Sequence, residues 1–302
     1  MKLAISTAIR LLALALVYFV CFVVVSGALL STTVDQPAPA DAGATLLALL
    51  VVSLVHAAVL TYVIRRSRWS GWKLTLSLFF VLYGVSTLMP QIETAYFVTR
   101  LPPGMLPRLF LAGLIIAAVF SPLAVLILGK ARPGTRDAFD DVRLNMSASA
   151  WIVRLSIIAI AYVLIYFTFG YFVAWQSEAV RAYYGGNDPG SFIAHMGNLL
   201  RTEPRLFLLQ IARGILWTLI ALPVIKMTKG KRWGAGLAVA LLFAMGSSQL
   251  LIPNPLMPAE VRMAHLVETV TSNFLFGWLV VAVIVQVHHP LRRIRVAPET
   301  HA

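Results

Sequence analysis

Apolar residues run along this chain in long blocks with no alternation and no single apolar stripe, and polar residues collect in the short gaps between blocks. Eight blocks are long enough to cross a hydrocarbon core of about 30 Å, which takes roughly 17 to 25 helical residues. They lie near 8–30, 44–64, 72–90, 107–129, 150–175, 206–226, 233–252 and 265–288. A helix satisfies its backbone hydrogen bonds internally, whereas a barrel strand would alternate with period two, and none does. The pattern predicts an all-α, polytopic transmembrane helical bundle of eight spans. Residues 1–302 then form a single integral membrane domain, with one long connection at 176–205.

Composition agrees. Of the 302 residues, 59% are hydrophobic and 12% charged, against about a quarter charged in soluble domains. That excludes a soluble enzyme, a disordered chain and a coiled coil. The only cysteine, Cys21, lies inside the first block, so neither an intrachain disulfide nor a Cys/His zinc motif exists. Lys2, the apolar stretch and small residues at Ser26, Gly27 and Ala28 resemble a secretory signal. The stretch Leu11 to Leu30 is long for a signal core, so a retained helix is expected.

A net charge of +13 could suggest nucleic acid, but the charges sit in short loops. Of the Lys and Arg residues, 18 fall on one side of the eight-span division and 6 on the other, with Arg213 inside a span. Cationic loops stay in the cytoplasm, so an inner-membrane protein with both termini cytoplasmic is expected. The basic loops and the tail around Arg292, Arg293 and Arg295 would then meet anionic lipid rather than nucleic acid.

An internal duplication is also expected. At an offset of 144, Arg10, Leu11, Ala15 and Tyr18 lie over Arg154, Leu155, Ala159 and Tyr162. At 161, Val63-Ile64-Arg65 lies over Val224-Ile225-Lys226, and Trp72 over Trp233. Four spans per half would give two halves of parallel orientation about an axis along the membrane normal.

Charged groups inside a span cost several kcal/mol unless paired or hydrated, so they point to function. Arg213 lies about 10 Å inside the sixth block, with Gln210 one turn before it. Pro90 is expected to stop the third helix, leaving Gln91 and Glu93 at its outer boundary. The eighth block opens with His265, Glu268, Thr269, Thr271, Ser272 and Asn273, a polar stripe at i, i+3 spacing whose carboxylate could pair with Arg213. All lie near the extracytoplasmic face. As substrate-binding candidates we take Arg213, Glu268, Glu93, Gln91, Asn273 and Gln210. As metal candidates we take His265, Glu268 and Glu93, with His195 of the long loop as a fourth ligand, since imidazole and carboxylate suit zinc or iron.

Three functions use this set. The first is binding or transport of a small or lipidic anion, with Arg213 as counter-charge. The second is a membrane-embedded, possibly metal-assisted hydrolase or transferase acting on lipid or peptide. Ser248 and Ser272 lack a GxSxG context, so no catalytic residue is assigned. The third is a non-catalytic assembly or regulatory subunit, in which the polar groups only specify packing. No nucleotide or dinucleotide motif occurs and no cofactor is assigned. His56, in the middle of the second block, is expected to hydrogen-bond a neighbouring helix, with a proton relay as the alternative. In the long loop, Ser191 to Leu200 is amphipathic and would lie on the membrane or cap the polar group.

Overall fold

A computed structural model describes residues 2–30, 42–98, 101–132, 144–186 and 188–285. The basic tail, His288, His289, Arg100, Arg136, Arg143 and the end of the expected eighth span lie outside them. Among the described residues there are helices and no strand. Eight helices are, by length and composition, able to cross a membrane: Ile5–Leu30, Ala42–Arg66, Gly71–Phe97, Met105–Ile127, Ala148–Ala174, Pro204–Met227, Arg232–Leu251 and Ala259–Ile284. The chain is therefore a multi-pass membrane protein.

The bounds differ from the hydropathy pattern in two informative places. The third span does not stop at Pro90. It widens into a π-helical turn over Gly84–Leu88 and resumes as Met89–Phe97. Pro90 has no N–H to offer the Ser86 carbonyl, and that carbonyl accepts Gln249 Nε2 of the seventh span instead, at 3.1 Å. A proline persists inside a span when a neighbouring helix replaces the lost bond. The eighth span begins earlier than expected, at Ala259. His265 and Glu268 therefore lie about 9 and 14 Å along it, not in its first turn.

The first span packs on the second and fourth, and the third on the fourth and sixth. The fifth packs on the sixth and eighth, and the seventh on the second and eighth. The first is the least buried and the seventh the most. Leu12, Leu16 and Val24 of the first span face outward, where lipid solvates them, while Leu14 and Tyr18 face the bundle. Between the seventh and eighth spans the backbones nearly touch, because Gly277 carries no Cβ. An added one would sit 2.6 Å from Ala240 Cα. Small residues allow such close packing where lipid removes the hydrophobic drive between helices.

On the basic side, two loops cross reciprocally. The Arg68 N–H donates to the Met227 carbonyl at 2.7 Å and the Lys229 N–H to the Arg66 carbonyl at 2.8 Å, with Ser67 opposite Thr228. Helix ends leave carbonyls without donors, and arginines supply them here. Arg154 Nη1 donates to Val283 and Ile284 at 2.9 and 2.7 Å. On the opposite side Arg262 Nη1 donates to Leu250 and Leu251 at the end of the seventh span.

Candidate functional site

The third, fifth, sixth and eighth spans carry ionic and phenolic side chains into one region of the half opposite the basic loops. From the sixth span, Gln210 and Arg213 stand one turn apart on a buried face. Arg213 Nη1 donates to Gln210 Oε1 at 2.7 Å and to Glu93 Oε1 at 2.5 Å. Its guanidinium lies 5.6 Å from the Tyr162 ring centre and 5.9 Å from that of Tyr166, both on the fifth span. These faces provide a cation–π surface. The Arg213 side chain is 5% exposed and that of Glu93 31%.

The pairing differs from the one the sequence allowed. Arg213 takes Glu93 rather than Glu268, because the third helix runs past Pro90 and carries Glu93 beside the sixth span. Glu268 turns to its own helix and accepts from, or pairs with, His265 Nδ1 at 2.7 Å. His265 Nε2 lies 3.2 Å from the Tyr184 hydroxyl. Tyr184 belongs to a short helix, Glu178–Tyr184, that packs on the eighth span. Burial, and then the neighbouring Tyr183, push the Tyr184 phenol up, so the hydroxyl keeps its proton. The carboxylate, imidazole and phenol thus form a line from the interior to the long loop.

Two candidates point elsewhere. Asn273 Nδ2 meets Ser247 Oγ of the seventh span at 3.4 Å, and Gln91 lines a neighbouring cavity. The metal reading needs correction. Among the described residues no three His, Cys, Asp or Glu side chains are placed to hold a metal ion. Glu93 is drawn to the guanidinium, leaving His265 and Glu268 as a pair. His195 lies 5.7 Å from the Tyr171 ring centre and 5.5 Å from that of Trp175. A zinc site takes at least three protein ligands. Ser248 and Ser272 donate to carbonyls of their own spans, at Met245 and Thr269. His56 fulfils the bonding expectation, with Nδ1 2.9 Å from the Val52 carbonyl and Nε2 3.2 Å from Ser86 Oγ.

Tyr162, Tyr166 and Tyr184 belong to the group without being among the site candidates of the sequence. The first two recur at i, i+4 in a mainly apolar span, which was a usable signal. Tyr184 carried none, since its role depends on how the long loop folds.

The second loop helix, Phe192–Thr202, rests on the end of the fifth span. Phe192 stacks on Phe172 at 5.4 Å. Burial lowers the His195 pKa from 6.5, so the folded state favours the neutral ring. This contribution is complete above about pH 6.5 and weakens as pH falls below it, because the unfolded chain then binds the proton more readily. Hydrogen exchange of residues 192–202 is expected to accelerate between pH 7 and 5. An unchanged rate after correction for intrinsic exchange would contradict this.

Comparison with family models, with curated proteins and with solved structures finds no match.

Proposed function

We propose that the protein binds a small or lipidic anion at Arg213 and carries it to or from the face opposite the basic loops. One observation carries the reading. Arg213 Nε and Gln210 Nε2 are buried donors with no hydrogen-bond partner among the described residues. Two unsatisfied N–H donors, one on the guanidinium and one on the neighbouring amide, suit a ligand that brings acceptor oxygens, as a carboxylate or phosphate does. Glu93 then serves as an internal substitute. Its carboxylate neutralises Arg213 while the site is empty, and its exposed end makes it the member that gives way. An unpaired Arg213 in the bundle would cost several kcal/mol, so Glu93 leaves only as another anion arrives.

The excess of basic loop residues supports a cytoplasmic basic side in an inner membrane, where anionic lipids meet those loops, and an extracytoplasmic Arg213. The reciprocal crossing at Ser67 and Thr228 supports a duplicated 4+4 bundle, because those residues are related by the same offset of 161 as the flanking sequence.

The test is Arg213→Gln. Purified wild-type protein is expected to melt at higher temperature with at least one of inorganic phosphate, benzoate or dioctanoyl phosphatidic acid. The variant should elute as a folded species yet show none of that shift. An equal shift in both proteins removes Arg213 from the site. The His265–Glu268 pair favours a second reading, acid–base catalysis on a lipid or peptide, since the carboxylate on Nδ1 and the Tyr184 hydroxyl beside Nε2 make a line along which a proton can pass.

A further inference from the structure

A cavity of about 80 Å³ lies between the first, third and fourth spans, with the seventh at one wall. Its lining carries no charged side chain. The residues with polar side-chain atoms are Tyr18, Ser26, Ser86, Thr87, Gln91 and Gln249, and Phe22 and Ile116 are among the apolar ones. Room for a single water is roughly 10–15 Å³, so the space suits a polar fragment about the size of a glycerol group.

On the wall formed by the third and seventh spans, three oxygens are left as acceptors. Gln249 gives its Nε2 to the Ser86 carbonyl, so its Oε1 is the atom left over. The Val52 carbonyl can only accept, so the neutral His56 ring carries its proton on Nδ1 and its Nε2 accepts from Ser86. Ser86 Oγ therefore spends its proton on His56 and keeps only lone pairs. Gln91 Oε1 is buried with no partner among the described residues. A ligand that satisfies these three oxygens must bring O–H or N–H donors. It must also be uncharged, because no lining group balances a charge and an unbalanced one is costly at this depth. Carboxylates, phosphates and simple esters fail the first condition or the second.

We propose that this cavity is a second binding site, for the neutral polyol end of a glycerol-type amphiphile, with Gln91, Gln249 and Ser86 accepting its hydroxyls. The apolar side toward Phe22 and Ile116 takes the start of its hydrocarbon chain. This is a different site from Arg213, with the opposite ligand preference.

The experiment uses the full chain in lipid nanodiscs, with monooctanoylglycerol as probe. Methyl octanoate, which lacks hydroxyls, and octanoyl lysophosphatidic acid, which is charged, are the comparisons. Monooctanoylglycerol is expected to raise the melting temperature saturably, and methyl octanoate is not. Ala112→Leu, which fills the cavity, and Gln91→Leu, which removes the unpartnered acceptor, should each weaken the apparent affinity at least tenfold. Arg213→Gln should leave it unchanged. Gln91→Leu removes an unsatisfied buried group and so is the variant expected to fold if Ala112→Leu does not. The proposal is overturned if monooctanoylglycerol has no effect on the wild type. It is equally overturned if Gln91→Leu responds as the wild type does, or if methyl octanoate or the lysophosphatidic acid binds in a Gln91-dependent way.

Discussion

The Glu93→Gln protein is expected to melt several degrees below the wild type in anion-free buffer and to regain most of that loss when a binding anion is added. Glutamine keeps the size of the side chain and one acceptor oxygen, so what disappears is the charge opposite Arg213. Removing one partner of a fully buried pair costs about 3–5 kcal/mol. Glu93 is 31% exposed, so solvent screening brings the expected cost down to roughly 2–3 kcal/mol. Ligand binding to the folded state offsets such a loss as its concentration rises. Anion-dependent recovery separates a vacated binding position from a lost structural pair. If Glu93→Gln melts with the wild type, or melts low and stays low with every anion, Glu93 is not holding a ligand's place.

Gly277→Leu is expected to abolish the folded protein. At this position an added Cβ meets the Ala240 Cα at 2.6 Å, its nitrogen at 2.7 Å and the Val239 carbonyl carbon at 2.9 Å. Those are backbone atoms, so no rotamer change relieves the overlap, and the seventh and eighth spans must separate. Overpacking typically costs about 1–3 kcal/mol and more where nothing can move. The eighth span carries His265 and Glu268, so the ionic group would be lost with the packing. Gly27→Leu is the matched control, since a Cβ there meets nothing within 4 Å. Size exclusion and thermal melts of the two variants decide the matter. If both behave alike, lipid-facing and helix-facing glycines are equivalent and the close-approach argument is wrong.

The span count was legible because each crossing needs about twenty apolar residues whatever it packs against. Element ends were less so. Pro90 reads as a stop when the third helix is considered alone, and it ceases to be one only because Gln249, far away in sequence, supplies the donor. The eighth helix starts at Ala259, ahead of its apolar block, because its first turns are held by protein. Arg262 bonds the end of the seventh span, and the Glu178–Tyr184 helix packs alongside.

The membership of the ionic group was largely readable, and its pairing was not. Hydropathy and spacing report how deep Arg213, Glu93, His265 and Glu268 lie, since depth follows from position along a helix. Which carboxylate meets the guanidinium depends on how each helix is rotated about its axis and on which helices touch. Those are set by contacts such as Gly277 on Ala240 and by the π turn before Pro90. For the same reason His195 looked like a ligand in the chain and is an aromatic contact in the fold. The cavity beside Gln91 had no trace in the pattern at all, because an empty space belongs to four helices together and to no single segment.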